Sequence, residues 1–377
     1  MKWKIANLGD LATFVNGFPF KPSDWSDEGM EIIRIQNLTK GSSETNCYKG
    51  VIPDKYKIKK GDILISWSAT LDVFEWAGKD AWLNQHIFKV VFDKIEINRQ
   101  FFIYLIKFVL NDMKKEVHGA TMQHITKSRF DNLKVPLPPL AIQNRIAKIL
   151  DAADALRRKD QELLNKYDEL AQAIFIEMFG SNSNVVKLDK ITTKITDGVH
   201  AKPNYQETGV PFLSVKNITN MFLDFNNTKF ITQADHETFT KRCKPEFEDI
   251  LYTKVGATYG RAAIIDSKKE FSIYVSIALI KPDRSKVYPY YLNFVLNTNY
   301  VKMQADRRVK GAGVPDLHLV EIKDFDIPLP AYKDQLDFSN VIENLNKNVS
   351  STKKQIEQSE NLFQTLLQQT FKGELVK

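Results

Sequence analysis

Apolar residues come in short alternating bursts over the first 139 positions, change to a heptad rhythm, and then repeat both patterns. Residues 31–35 and 211–215, 62–67 and 249–253, and 87–92 and 275–280 are matched β-type runs entered through polar turns. Residues 100–111 and 289–297 carry apolar positions at helical spacing and predict short helices. This order predicts an α+β unit with a curved, mostly antiparallel sheet. Beyond Pro136, Pro138 and Pro139, residues Ile142, Ile146, Ile149, Ala153, Leu156, Leu163, Tyr167, Leu170 and Ile174 follow steps of four and three, interrupted at Asp160. Residues 140–179 hold no internal Gly or Pro, so one helix of about 60 Å is predicted. Beyond Pro328 and Pro330, Ile342, Leu345, Val349, Thr352, Ile356, Ser359, Phe363 and Leu366 form a second, more polar seam. Neither helix can bury its stripe alone. The two are therefore expected to pack on each other as an antiparallel coiled coil.

The chain is one unit written twice. Leu8, Leu11, Gly29 and Asn37 match Leu188, Ile191, Gly209 and Asn217 at a spacing of 180, and the spacing has drifted to 192 where Pro136 and Gln143 match Pro328 and Gln335. Between these lie the pairs Asp62/Asp249, Tyr104/Tyr291 and Gly119/Gly311. Such a period is too long for a solenoid and predicts two tandem domains, residues 1–139 and 180–331, followed by helices at 140–179 and 332–377. If a pseudo-twofold axis relates the halves, a dumbbell results. Two similar but unequal units suit a target in two unlike halves.

Charge sharpens this picture. The net charge is +7, yet residues 1–139 hold 20 Lys+Arg against 16 Asp+Glu and residues 180–331 hold 21 against 17, so each globular unit carries +4 and the helical stretches are near neutral. The basic excess sits where a polyanion would be gripped. Cys47 and Cys243 fall one per repeat with no second cysteine near either, so neither a zinc site nor a disulfide framework is encoded. No run approaches the roughly 18 to 20 apolar residues of a membrane span, and the start lacks a signal peptide's apolar centre. A cytoplasmic protein without membrane partners is expected.

Catalytic patterns are sparse. The chain has no Gly-rich strand-turn-helix with an Asn/Asp-Pro-Pro-aromatic loop for S-adenosylmethionine-dependent methylation of a flipped base, and no phosphate-binding Gly-x4-Gly-Lys-Ser/Thr loop. Asp316, Glu321 and Lys323 superficially resemble a nuclease metal motif, but the other copy has His124, Arg129 and Asp131 in their places. The six histidines lack ligand spacing. No catalytic residue, metal or cofactor is therefore expected on this chain. An enzyme with its own nuclease or methyltransferase site, and a helical scaffold without base readout, are the competing readings.

DNA reading has clearer candidates. Ser66 and Thr70, and Thr258, Tyr259 and Arg261, lie in polar loops that follow apolar strands; small neighbours let the backbone approach a phosphate while these side chains donate to phosphates or base edges. Gln123, Lys127 and Arg129 lie in or just beyond a later loop of the first unit, and Arg307, Arg308 and Lys310 form the sharpest basic loop in the second. Gln36 and Asn37, with Lys216 and Asn217, end equivalent strands and suit adenine or the neighbouring loop backbone. All five tryptophans lie in the first unit, so unequal half-sites are expected.

The chain resembles the DNA-specificity subunit of type I restriction-modification systems over nearly its whole length. The resemblance is carried by the doubled openings at Leu8 and Leu188, by residues 60–66 against 248–253, by the Gly-Ala-Thr at 256–258, and by the junction from Pro136 to Leu150. The helix ends at Phe175–Gly180 and Phe371–Leu375 complete it. The first copy departs from the pattern with Trp67-Ser-Ala-Thr, and the second helix opens with Tyr332-Lys-Asp. The resemblance implies two target-recognition domains that each read half of a split double-stranded DNA sequence. It also implies helices that act as a spacer and dock two methyltransferase subunits, which restriction/translocase subunits join. S-adenosylmethionine, ATP and magnesium are then expected on those partners.

Overall fold

The computed structural model describes residues 3–39, 45–68, 70–116, 126–180, 184–201, 203–218, 221–311 and 313–375. The chain divides into two compact units, Met1–Glu162 with Lys353–Lys377, and Leu163–Thr352. Both boundaries fall inside long helices, so the packing groups each helix's two ends with different units, whereas the sequence pattern placed boundaries at the prolines.

In the first unit an antiparallel sheet runs in the order Thr13–Asn16, Ile87–Val91, Ile63–Ser66, Asp72–Glu75. A second sheet orders Asn46–Tyr48, Met30–Ile33, Ala81–Leu83 and Lys57–Ile58, with one parallel pair, Met30–Ile33 on Ala81–Leu83. Lys4–Asn7 pairs antiparallel with Lys134–Leu137, bringing the unit's first strand back to its proline turn. Pro136 sits in this two-stranded edge, where the missing N–H is tolerated.

The second unit repeats the plan with Thr192–Asp197, Ile277–Pro282, Ile250–Thr253 and Ala262–Ile264. Its second sheet joins Lys229–Ile231, Val210–Leu213 and Ser272–Ile273, again with one parallel pair, and Val185–Lys187 closes on Asp326–Pro328. A helix the apolar pattern did not announce, Asn299–Arg308, follows Pro289–Leu296. Its arginines therefore end a helix instead of occupying a loop, where cations suit the negative end of the dipole.

Two helices of 40 residues each, Leu140–Phe179 and Tyr332–Phe371, correspond to about 60 Å apiece. The first unit's core packs Phe14, Phe88, Phe102 and Phe130 with Ile146, Ala147, Leu150 and Ala153 from one helix and Phe363, Leu367 and Phe371 from the end of the other. Arg157 bonds Glu360 at 2.9 Å there, and both Arg157 and Arg158 pair with the buried Asp154. The second unit's core gathers Phe175 and Phe179 with Phe338, Tyr291 and Phe325. Each core is thus completed by one end of each long helix.

The seams differ from their predicted course on one helix only. Leu345, Val349 and Ile356 are half-buried and Phe363 is buried, along the predicted face. On the other helix Ile146 is buried and Ile149 half-buried, but Leu156, Leu163 and Leu170 stand 46%, 38% and 45% exposed. The packed positions there run Ile146, Leu150, Ala153, Asp154, Arg157, Leu164, Tyr167, Ala171 and Phe175. The packed positions keep a seven-residue spacing, with Leu150, Arg157, Leu164 and Ala171 packed in place of Ile149, Leu156, Leu163 and Leu170, so one column of the seam lies a single residue further along the helix.

Candidate nucleic-acid interface

In the second unit, the fully buried strand Ile250–Thr253 delivers the chain into a loop over residues 254–261. Thr253 shapes that loop: its hydroxyl donates to the Thr258 carbonyl at 2.7 Å and accepts from the Arg261 amide at 2.9 Å. Gly256 and Gly260 adopt positive φ of 92° and 86°, a conformation that a Cβ would strain. Tyr259 is tied down, its hydroxyl donating to Asp306 at 2.5 Å while Lys302 lies 4.1 Å from its ring centre. The hydrogen bond to Asp306, joined by partial burial, raises the phenol above its ordinary range. Asp306 in turn is held below the usual carboxylate range by Lys302 and by that same hydroxyl.

The basic segment after residue 307 folds onto this loop. Lys310 and Asp316 exchange two backbone hydrogen bonds of 2.9 and 2.8 Å, and the amides of Gly256 and Leu317 donate to Pro315 and Lys254 carbonyls at 2.9 and 2.8 Å. Two segments chosen separately from sequence thus make one surface. Its cations are not equivalent. Arg308 donates to Asp324 at 3.1 Å and to the Gln304 carbonyl at 3.2 Å, and Lys310 reaches Glu321 at 2.7 Å. Arg307 is exposed beside them. Glu321, the second carboxylate of the nuclease-like pattern, is engaged by Lys310, and no cluster of three or more His, Cys, Asp or Glu suited to a metal occurs among the described residues.

The first unit repeats the loop device. Ser66 is buried, accepts from the Asp72 amide at 3.1 Å and donates to the Thr70 carbonyl, so its hydroxyl holds the loop as Thr253 does. Thr70 is exposed. Gln123 lies outside the described residues. Just beyond, Thr126 caps the helix Lys127–Asp131 through the Arg129 amide at 3.3 Å; Lys127 and Arg129 are exposed, with Lys127 paired to Asp131 at 2.5 Å.

The paired asparagines are engaged within their own turns. Asn217 is buried; its Oδ1 accepts from the Ser214 amide at 3.0 Å and its Nδ2 donates to the Asp224 carbonyl at 3.0 Å. Asn37 accepts from the Arg34 amide at 3.0 Å in the equivalent turn. Each closes its own strand-end turn, in line with the backbone role that the sequence left open beside adenine, while the neighbouring Gln36 and Lys216 are exposed.

Sequence reasoning missed a charge network at the base of the second unit's surface. Asp197, buried at a strand end, accepts from Arg242 and lies 3.3 Å from His200 Nε2, and buried Lys254 stands between Asp197 and Asp316. The signal was the Gly after each strand end. A Cβ on Gly17 or Gly198 would come within 2.1 Å of the Asn84 or Ile273 carbonyl oxygen, so Asn16-Gly17 and Asp197-Gly198 mark matched close approaches.

Comparison with known proteins agrees in kind. The family described as type I restriction modification DNA specificity domain matches residues 1–166 and again 180–361. The EcoBI specificity subunit of Escherichia coli, from a type I restriction enzyme, is 25% identical over 99% of this chain and 86% of its own length. The MjaVIII specificity subunit of Methanocaldococcus jannaschii is 21% identical over 99% and 93%. Among solved structures, the S subunit of a type I restriction-modification system from M. genitalium superposes with a TM-score of 0.52 at 16% identity, covering 98% and 96% of the two chains. A chain from a structure concerned with complex assembly in the type I restriction-modification system reaches 0.60 at 15% identity over 99% and 98%.

Proposed function

The chain belongs to the type I restriction-modification DNA specificity family, and on that premise we propose that each compact unit reads one half of a bipartite, asymmetric double-stranded DNA target. The observation that carries this reading is the joining of residues 254–261 to residues 313–317 in the second unit, through Gly256 to Pro315 at 2.9 Å and Leu317 to Lys254 at 2.8 Å. The joined surface offers an exposed cation, Arg307, and a loop whose buried Thr253 fixes the backbone, leaving Thr258 and Arg261 at its rim. Arg307 serves as a phosphate contact that sets register, and the loop rim reads base edges.

The chain itself carries no chemistry in this reading. Two methyltransferase subunits dock on the long helices, where Leu156, Leu163 and Leu170 are exposed, and restriction/translocase subunits join them. Those partners bring S-adenosylmethionine, ATP and magnesium. No helix among the described residues is long and apolar enough to cross a membrane.

Long-read methylome sequencing of a host with and without the gene tests the reading, followed by exchange of residues 1–139 for another family member's. The expected result is a split methylated motif that disappears with the gene, and of which the exchange changes one half and leaves the other. Methyl transfer or magnesium-dependent cleavage by the purified chain alone would refute it.

A further inference from the structure

Lys254 occupies an unusual place for a lysine. It follows the last residue of a buried strand, is itself 7% exposed, and has its ammonium 3.8 Å from Asp197 and 3.6 Å from Asp316. An ammonium withdrawn from water is costly unless opposite charge replaces its hydration, and one carboxylate on each side does so. The two carboxylates belong to separate segments. Asp197 ends a strand and is itself fixed by Arg242, whose Nη2 also donates to the Asp197 carbonyl at 3.1 Å. Asp316 is the residue at which the basic strip is stitched by backbone to Lys310 and forms a bridge with Val255.

Resting on the DNA-reading function above, we infer that Lys254 is a positioning residue for the half-site read by the second unit: it latches the strip formed by residues 307–311 and 313–316 to the sheet without touching DNA. The other unit supports this by contrast. Trp67 holds the matching position, its amide donating to His86 O at 3.3 Å as that of Lys254 donates to Ser276 O at 3.0 Å. Its ring packs on Phe88 and His86, with centroids 5.8 and 5.2 Å away. One loop base is set by aromatic packing, the other by charge. A latch acts through Asp316, so removing either partner should loosen the same strip, and removing both should add little.

The test uses the full chain in the specificity complex and competition binding against single-base variants of both half-sites at two salt concentrations. Lys254→Met and Asp316→Asn should each lower discrimination at the second half-site by roughly tenfold, the double variant should lose no more than the worse single, and Lys254→Arg should retain most of it. Discrimination at the first half-site and the slope of affinity against salt should stay as in the parent, because a buried latch releases no counterions from DNA. Thermal unfolding of each variant separates loss of fold from loss of reading. Unchanged discrimination, losses that multiply, or a salt slope reduced by about one, as for a direct phosphate contact, would overturn the latch while leaving the DNA-reading function in place. A parent complex with no sequence preference would instead overturn that function, and the latch with it.

Discussion

Gln143 Oε1 accepts a hydrogen bond from the Asn98 amide at 3.0 Å while its Nε2 donates to the Pro138 carbonyl at 2.9 Å, clamping a proline turn to the start of the helix Arg99–Glu116. Gln335, the matching residue of the second repeat, clamps Tyr288 N at 2.8 Å and Pro330 O at 2.9 Å. Both side chains are buried. Replacing either with Leu strands a buried amide and carbonyl, so Gln335→Leu should cost about 1 to 3 kcal/mol in urea unfolding. A change within error would mean the clamp contributes nothing to stability.

The long helices should respond differently by position. Phe363 is buried against Tyr104 and Arg157, so Phe363→Ala should cost about 3 to 5 kcal/mol. Leu163 is exposed, so Leu163→Asp should shift the unfolding midpoint little and instead weaken assembly with methyltransferase subunits, read by size-exclusion chromatography. A full complex with Leu163→Asp would remove this side chain from the docking surface.

The cations of the basic segment should separate in salt titrations. Arg307→Ala should weaken binding to every sequence and lower the salt slope by about one, as expected when one phosphate contact is lost. Lys310→Ala removes an ion already paired with Glu321 and should change the slope less. Equal slopes for both variants would contradict the distinction between them.

Thiol chemistry gives a check on burial. Cys243 is buried, and that burial pushes its thiol up to about 11, so thiolate is scarce at pH 8 and its share grows only as pH approaches that value. Cys47 is half-buried. Iodoacetamide on the native chain, followed by peptide mass analysis, should modify Cys47 first. Faster alkylation of Cys243 would show that its pocket opens readily.

The sequence by itself determined what depends on local pattern and on its own repetition. Runs of 40 residues without internal Gly or Pro become helices, apolar bursts between polar turns become strands, and the matched residues across 180 to 192 positions settle that there are two units of one plan. The hydroxyls of Ser66 and Thr253 and the amides of Asn37 and Asn217 were visible as matched polar residues, yet their work in closing turns was not, because their partners, three to eight residues away, can be named only once the chain has turned. The same holds for charge: Arg307, Arg308 and Lys310 are near neighbours in sequence, and only the arrival of Asp324 and Glu321 in space pairs two of them and leaves the third exposed. Tertiary packing likewise decided which face of the first long helix is covered: residues 149, 156, 163 and 170 and residues 150, 157, 164 and 171 share one seven-residue spacing, and only the side chains packed against the helix select the second set.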